Sequence, residues 1–196
     1  IYRLMIRIPK SVIQKIERKA QKTKKRDFQK VFKKRFDETK QEMIEEFMSH
    51  PVTVELLSGS SSANISGTLG GQANLFAFIG FNASDKPIEP ILKILESTSF
   101  KDAGESNSGR RFTLMIPTAD EIFAVSPMPW ASGRSWAKGI EKGISGLGYL
   151  LNKSTSSSRS GVAIQADKKV RTARFNNVQY ISALLNKYKK KFKEMS

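Results

Sequence analysis

The chain has 196 residues, 39% of them hydrophobic, and a net charge of +16, which allows one modest core with charged helices around it and favours an anionic partner (nucleic acid, acidic membrane or acidic protein) without choosing among them. With no cysteine and a single histidine, disulfides, thiolate metal sites and a histidine dyad are excluded, as fits folding in a reducing compartment. No apolar run approaches the ~18 residues that a membrane span needs, so no membrane partner is expected.

The opening IYRLMIRIPK is too short in apolar residues for a secretory signal, and Met5 is expected to be the native start, with Ile1–Leu4 lying upstream of it. From Ser11 to Ser49 the pattern is helical. Val12, Ile16, Ala20, Phe28, Phe32, Phe36, Ile44 and Met48 fall at multiples of four and predict a slowly winding apolar stripe, with a break at Lys22–Arg26. The polar face is basic before Lys40 and acidic after it, at Glu42, Glu45 and Glu46. The basic face offers contact with DNA or another anion; the plainer alternative is a solvated face. The stripe is longer than a small body can cover, so Phe28, Phe32 and Phe36 are candidate subunit-interface residues. This helix and its extended start form the first unit, residues 1–50; residues 51–196 are expected to form an α+β core.

Pro51 stops the helix, and His50 beside it reads as a helix-end residue with no catalytic partner. Val52–Leu57 reads as a strand or a short helical continuation. Ser58–Gly71 is rich in Ser and Gly but fits no phosphate-binding spacing, so it is expected to be an arm that reaches a neighbour through Thr68 and Leu69. The charge-free run Leu75–Phe81 predicts a buried central strand. Ile88–Leu95 is a short helix with prolines in its first turn, Lys101–Gly109 a polar loop, Arg111–Ile116 an alternating strand, and Ala119–Val125 a strand or a helix, with Ile122, Phe123 and Val125 favouring strand.

Pro127–Trp136 places Trp130, Arg134 and Trp136 within ten residues. They are either core residues or interface anchors, because Trp and Arg dominate interface hot spots. A helix over Ser135–Leu151 carries Gly139, Gly143 and Gly146, which points to close packing. A Ser-rich linker over Lys153–Ser160 and a hairpin over Gly161–Phe175 follow. Asn177 caps a last helix, Val178–Met195, whose Lys187, Lys189, Lys190, Lys191 and Lys193 are candidate DNA or anion contacts.

No motif for catalysis, cofactor or metal is present: no nucleophile elbow, no P-loop, no Cys/His cluster. Asp120 and Glu121 are the one compact acidic pair in the middle of the chain, and on a strand they point to opposite faces. An enzyme is not expected.

The order of parts, with SHPVT…SGTLGG…NLFAFIGF and PMPWASGRSWAKGIE as its most distinctive segments, resembles the head–tail connector proteins of tailed bacteriophages, the neck or tail-completion group, from about Lys10 onward. The resemblance implies an α+β virion structural protein without enzymatic activity, assembled in the host cytoplasm into a homo-oligomeric ring at the head–tail junction. It implies portal, head-closure, sheath, tail-tube or terminator proteins as neighbours, and DNA in the lumen. The rival reading is a basic DNA- or RNA-binding protein that acts through backbone electrostatics.

Overall fold

The computed structural model describes residues 10–71, 74–106, 109–144 and 175–194. The fold is α+β: helices α1 (Lys10–Ser49), α2 (Pro51–Leu57), α3 (Leu75–Ile79), α4 (Ile88–Glu96), α5 (Ala119–Ala124), α6 (Trp136–Lys142) and α7 (Ile181–Lys193) surround two antiparallel hairpins, β1 (Ser99–Ser106) with β2 (Gly109–Met115) and β3 (Pro127–Met128) with β4 (Ala131–Ser135). Among the described residues the strands form two separate hairpins rather than one central sheet. The linker and hairpin expected over 153–175 lie almost wholly outside the described residues, as do residues 1–9.

Helix α1 is continuous through Lys22–Arg26, where a break was expected. At 1.5 Å per residue it is about 60 Å long. Its buried stripe is Phe36, Thr39, Met43 and Phe47, stepping by three and four as a 3.6-residue helix requires. Strict steps of four drift slowly off that face, and Ile16 and Phe28 are exposed because they lie in the part of α1, Gln14 to Phe28, where every residue is exposed. Lys40, which interrupts the expected stripe, reaches across to α4 and donates to the backbone oxygens of Glu96 and, at 3.0 Å, Thr98. A cation on the unsatisfied carbonyls of a helix C-terminus is favourable. The C-terminal half of α1 thus belongs to the same core as α2, α4, α6 and α7.

The run Leu75–Phe81 is a helix, not a strand. The Asn74 side chain caps it by accepting from Ala77 N at 3.0 Å, while its amide donates to Gly59 O (3.0 Å) and Ser62 O (2.7 Å). Gly80 ends it at φ 90°, a left-handed conformation that glycine adopts without a Cβ penalty. The bonds Phe81 N→Phe76 O (3.2 Å) and Gly80 N→Ala77 O (3.0 Å) close a Schellman motif, and the Phe76 and Phe81 rings pack 5.2 Å apart over it. Ala119–Ala124 is also helical, opened by a capping box: Thr118 Oγ1 accepts from Glu121 N, and the Glu121 carboxylate accepts from Thr118 N at 2.7 Å. Glu121 is thereby held below the usual carboxylate range, chiefly by the Thr118 backbone bond.

Lys101–Ser106, expected as loop, completes β1, whose pairing to β2 shifts between Asp102 and Gly104. Helix α6 stops at Lys142, before Gly143 at φ 103°, rather than running to Leu151. Gly139 does sit at a close approach: a Cβ there would lie 2.9 Å from Ile144 Cγ1 and 3.2 Å from Met128 Cε. Helix α7 starts at Ile181, not Val178, and Asn177 is not its cap. Glu141 of α6 supplies the cap by accepting from both Ser182 N and Ser182 Oγ at 2.6 Å.

Segment Ser58–Gly71 is folded back on the body rather than extended as an arm. The Glu55 carboxylate of α2 is fully buried. It accepts from Asn64 Nδ2 (2.9 and 3.1 Å), Ser66 N (2.9 Å) and Leu75 N (2.8 Å). Asn64 Oδ1 in turn accepts from Leu69 N (2.9 Å) and Gly71 N (3.2 Å). Asn176 donates from its backbone to Thr68 O (2.7 Å) and from its side chain to Gly67 O (3.1 Å), laying the approach to α7 over this loop.

Two stability predictions follow from these contacts. Glu55→Ala takes the acceptor from three donors, two of them buried, and hydrogen bonds to a charged group contribute roughly 1.5–3 kcal/mol each. The expected loss in urea unfolding is about 3 kcal/mol or more; a loss under ~1 kcal/mol contradicts the cage. His50 caps α2 by accepting from Val52 N at Nδ1 (3.3 Å), and its Nε2 faces Gln179 O at 3.1 Å. That pair of bonds assigns the neutral ring with the proton on Nε2. Burial lowers its pKa below the ordinary 6.5. The unfolded chain therefore binds the proton first as pH falls. This contribution is complete above about pH 6.5 and is lost as the pH drops from there toward the folded-state value. Unfolding free energy measured between pH 7.5 and 5.5 should decline in the wild type and decline less in His50→Asn, which keeps a capping side chain.

Candidate interaction surfaces

The expected interface residues separate sharply in the structure. Phe36, Thr68, Leu69 and Trp136 are buried within the chain itself. Trp136 packs edge-on to Phe81 and lies near Tyr180, and Trp130 donates from Nε1 to Ile79 O at 2.7 Å at the end of α3. Both tryptophans thus serve the subunit's own packing, which leaves the exposed Arg134 on β4 as the surface member of that trio. Phe32 is half-buried. Its ring stacks on Phe112 at 3.9 Å and meets Phe100 edge-on at 5.0 Å, while Phe36 touches Phe100 (4.9 Å) and Phe192 (5.3 Å). These five rings lock the β1–β2 hairpin and the end of α7 onto α1. Gln29 adds a bond to Asp102 at 2.6 Å. Of the three phenylalanines expected at an interface, Phe28 alone is exposed, at 61%.

Phe28 stands at the mouth of a groove of about 840 Å³ between α1, the hairpin and α7. Phe32, Phe112, Leu114 and Phe192 form its apolar floor, and Arg35 and Arg111 stand among its polar lining residues. Its size matches that of small-molecule pockets. Among the described residues it brings no acid, base and nucleophile together, and no group of His, Cys, Asp and Glu is placed to hold a metal ion. Asp120 and Glu121 are consecutive on α5, and Glu121 is committed to its capping box.

The lysines of α7 are largely engaged within the fold. Lys187 Nζ lies 2.5 Å from Glu46 Oε2, and the Tyr188 hydroxyl donates to the same oxygen at 2.8 Å. Lys191 pairs with Glu42, and Lys190 lies 4.0 Å from Glu194. The Lys187 hydrogen bond, with help from Tyr188 and the charge of Lys191, holds Glu46 below the usual carboxylate range. Burial, then Glu46, pushes the Tyr188 hydroxyl up. Lys189 lies in the field of Glu121, and Lys193 lines the groove. The acidic face of α1 and the basic face of α7 are thus one seam, and the expected anion-binding run is in large part its cationic half.

The unengaged positive charge lies elsewhere. From Gln14 to Phe28 every residue of α1 is exposed, so this part of the helix projects from the body as an arm. Among the described residues no carboxylate pairs with its Lys15, Arg18, Lys19, Lys22, Arg26 or Lys30. Two residues that the sequence reading passed over, Glu55 and Lys40, anchor the body that carries this arm. The visible signals were a lone acid inside the apolar run VTVELL and a lysine within an apolar stripe. No described helix is long and apolar enough to cross a membrane. No protein-family model, curated protein or solved structure matches the chain.

A pair of substitutions separates floor from rim. Phe112→Ala removes the ring stacked on Phe32 and should cost about 2 kcal/mol, less than the 3–5 of a fully buried Phe. Phe28→Ser should stay within ~0.5 kcal/mol, as exposed sites do. Equal losses in thermal unfolding contradict the assignment of Phe28 to an open surface.

Proposed function

We propose that the chain is a non-enzymatic structural subunit of a tailed-bacteriophage virion, forming a homo-oligomeric ring in the neck and joining the portal or head-closure side to the tail. The observation that carries this reading is the arm. Most helical stability in proteins comes from packing of one face, and here Ile16, Phe28 and Val31 are large apolar side chains held out in solvent. A neighbouring subunit that covers the side of the arm bearing Ile16 and Val31 removes that cost. The resemblance of SGTLGG…NLFAFIGF and PMPWASGRSWAKGIE to connector proteins supports the same reading, and in this fold those segments build the body on which the arm is mounted. The groove beside Phe28 gives the ring a second apolar surface for a neighbour.

The decisive experiment is location. Mass spectrometry of purified particles should detect the chain in multiple copies per virion, and averaged images should place it at the head–tail junction. Particles that lack it sink the proposal. With its neighbours present, the recombinant chain should sediment as a closed oligomer, and Ile16→Glu/Val31→Glu should shift it toward monomer without lowering its melting temperature.

A further inference from the structure

We infer that the projecting arm of α1 is a docking surface for double-stranded nucleic acid, which it holds through the phosphate backbone without reading sequence. The inference stands on charge placement and does not depend on the ring. At about 100° per residue, Lys15, Arg18, Lys19, Lys22, Lys25, Arg26 and Lys30 fall within an arc of roughly 140° along one side of the helix. Both acids of the arm, Glu17 and Asp27, fall on the other side, as do Ile16, Ala20 and Phe28. The stripe is therefore uninterrupted by negative charge. Lys15 to Lys30 spans about 22 Å of helix axis.

An arc this broad on a helix ~10 Å across lets cations reach both walls of a major groove ~12 Å wide. Seven cations over this ~22 Å length, one per ~3 Å, come close to the one phosphate per ~3.4 Å that each strand of a duplex presents along its axis. A single strand fits less well, because stacking platforms need exposed aromatics among the cations, and the arm's one exposed ring, Phe28, lies off the stripe. An acidic protein surface would also attract this charge. The stripe carries no apolar anchor to sit at the centre of a protein interface, whereas phosphate contact needs none. The seam between α1 and α7 favours the arm over the lysine-rich end of the chain: Lys187 and Lys191 are engaged by Glu46 and Glu42, which offsets part of the charge on that face.

The test uses the full chain and a fluorescent 30-base-pair duplex of arbitrary sequence, with binding measured from 50 to 250 mM salt. Engagement of about five phosphates gives a slope of log K against log salt near −4.5. Arg18→Gln/Lys22→Gln/Arg26→Gln should make that slope shallower by two to three units and weaken binding at least tenfold, with the melting temperature unchanged because the arm makes no tertiary contact there. A scrambled duplex should bind within twofold of the first. The inference is overturned if the arm variant binds like the wild type. It is equally overturned if Lys187→Gln/Lys191→Gln accounts for the loss, or if polyglutamate of matched charge competes as well as unlabelled duplex, which assigns the arm to an acidic polypeptide.

Discussion

One buried carboxylate sets the arrangement of most of the body. A carboxylate taken out of water is costly unless its oxygens are met by donors, and the donors that meet Glu55 all come from one stretch, Asn64 to Leu75. Satisfying the acid therefore dictates where a loop with few apolar side chains of its own must run. The consequence propagates. With the loop in place, the carbonyls of Gly67 and Thr68 face outward to receive Asn176. The chain then delivers Tyr180 to Thr53, a 2.8 Å bond in the interior, and Phe175 to Phe78. Helix α7 lands against α1 because the segment before it has been laid over this cage.

Helix α1 lives in two regimes, and side chains from other elements mark the boundary. From Phe32 onward it is covered by the hairpin, α4 and α7; before Gln29 no described residue covers it. The seam with α7 adds little stability, since exposed ion pairs contribute about 0–1 kcal/mol. Its effect is on the distribution of charge. By pairing acids of α1 with lysines of α7, the fold offsets charge on the body, so that among the described residues most of the net positive charge stands on the arm.

Much of this was legible in the chain, and the failures have physical causes. The Arg111–Ile116 strand, the Ile88–Leu95 helix and the apolar stripe of α7 followed from periodicity, and Gly139 from its expense in a helix. Leu75–Phe81 was misread because a short run that is apolar throughout carries no period; the informative residues were its punctuation, Asn74 before and Gly80 after. The same holds for Ala119–Ala124, where Thr118 and Glu121 stand at capping-box spacing ahead of an apolar run. Strand β1 was unreadable because its Lys101–Ser106 stretch is polar and its one bulged position breaks alternation. Glu55, Lys40 and Glu141 share a deeper difficulty. Each is a charged side chain whose partners, backbone groups among them, lie outside its own element, and no local pattern encodes such a contact. For the α7 lysines the converse holds: their density was visible, but the acids that engage Lys187 and Lys191 lie 141 and 149 positions upstream.

The arm's own sequence opposes its folding, and this bears on what it is for. Lys15 and Lys19, Arg18 and Lys22, Lys22 and Arg26, and Arg26 and Lys30 each stand four residues apart, where like charges face one another and each pair destabilises an isolated helix by roughly 0.2–0.5 kcal/mol. Four such pairs together oppose helix formation by about 1–2 kcal/mol, in a segment that gains no tertiary burial in return. The same cations become favourable once a polyanion lies along the stripe, because the repulsion they exert on one another is replaced by attraction to phosphate and release of its counterions. A helix whose local electrostatics disfavour it in isolation and favour it against a duplex is coupled to that partner thermodynamically. Packing of a neighbouring subunit on the opposite side, where Ile16 and Val31 stand, would add to that coupling rather than compete with it, since the two contacts use different faces of one rod.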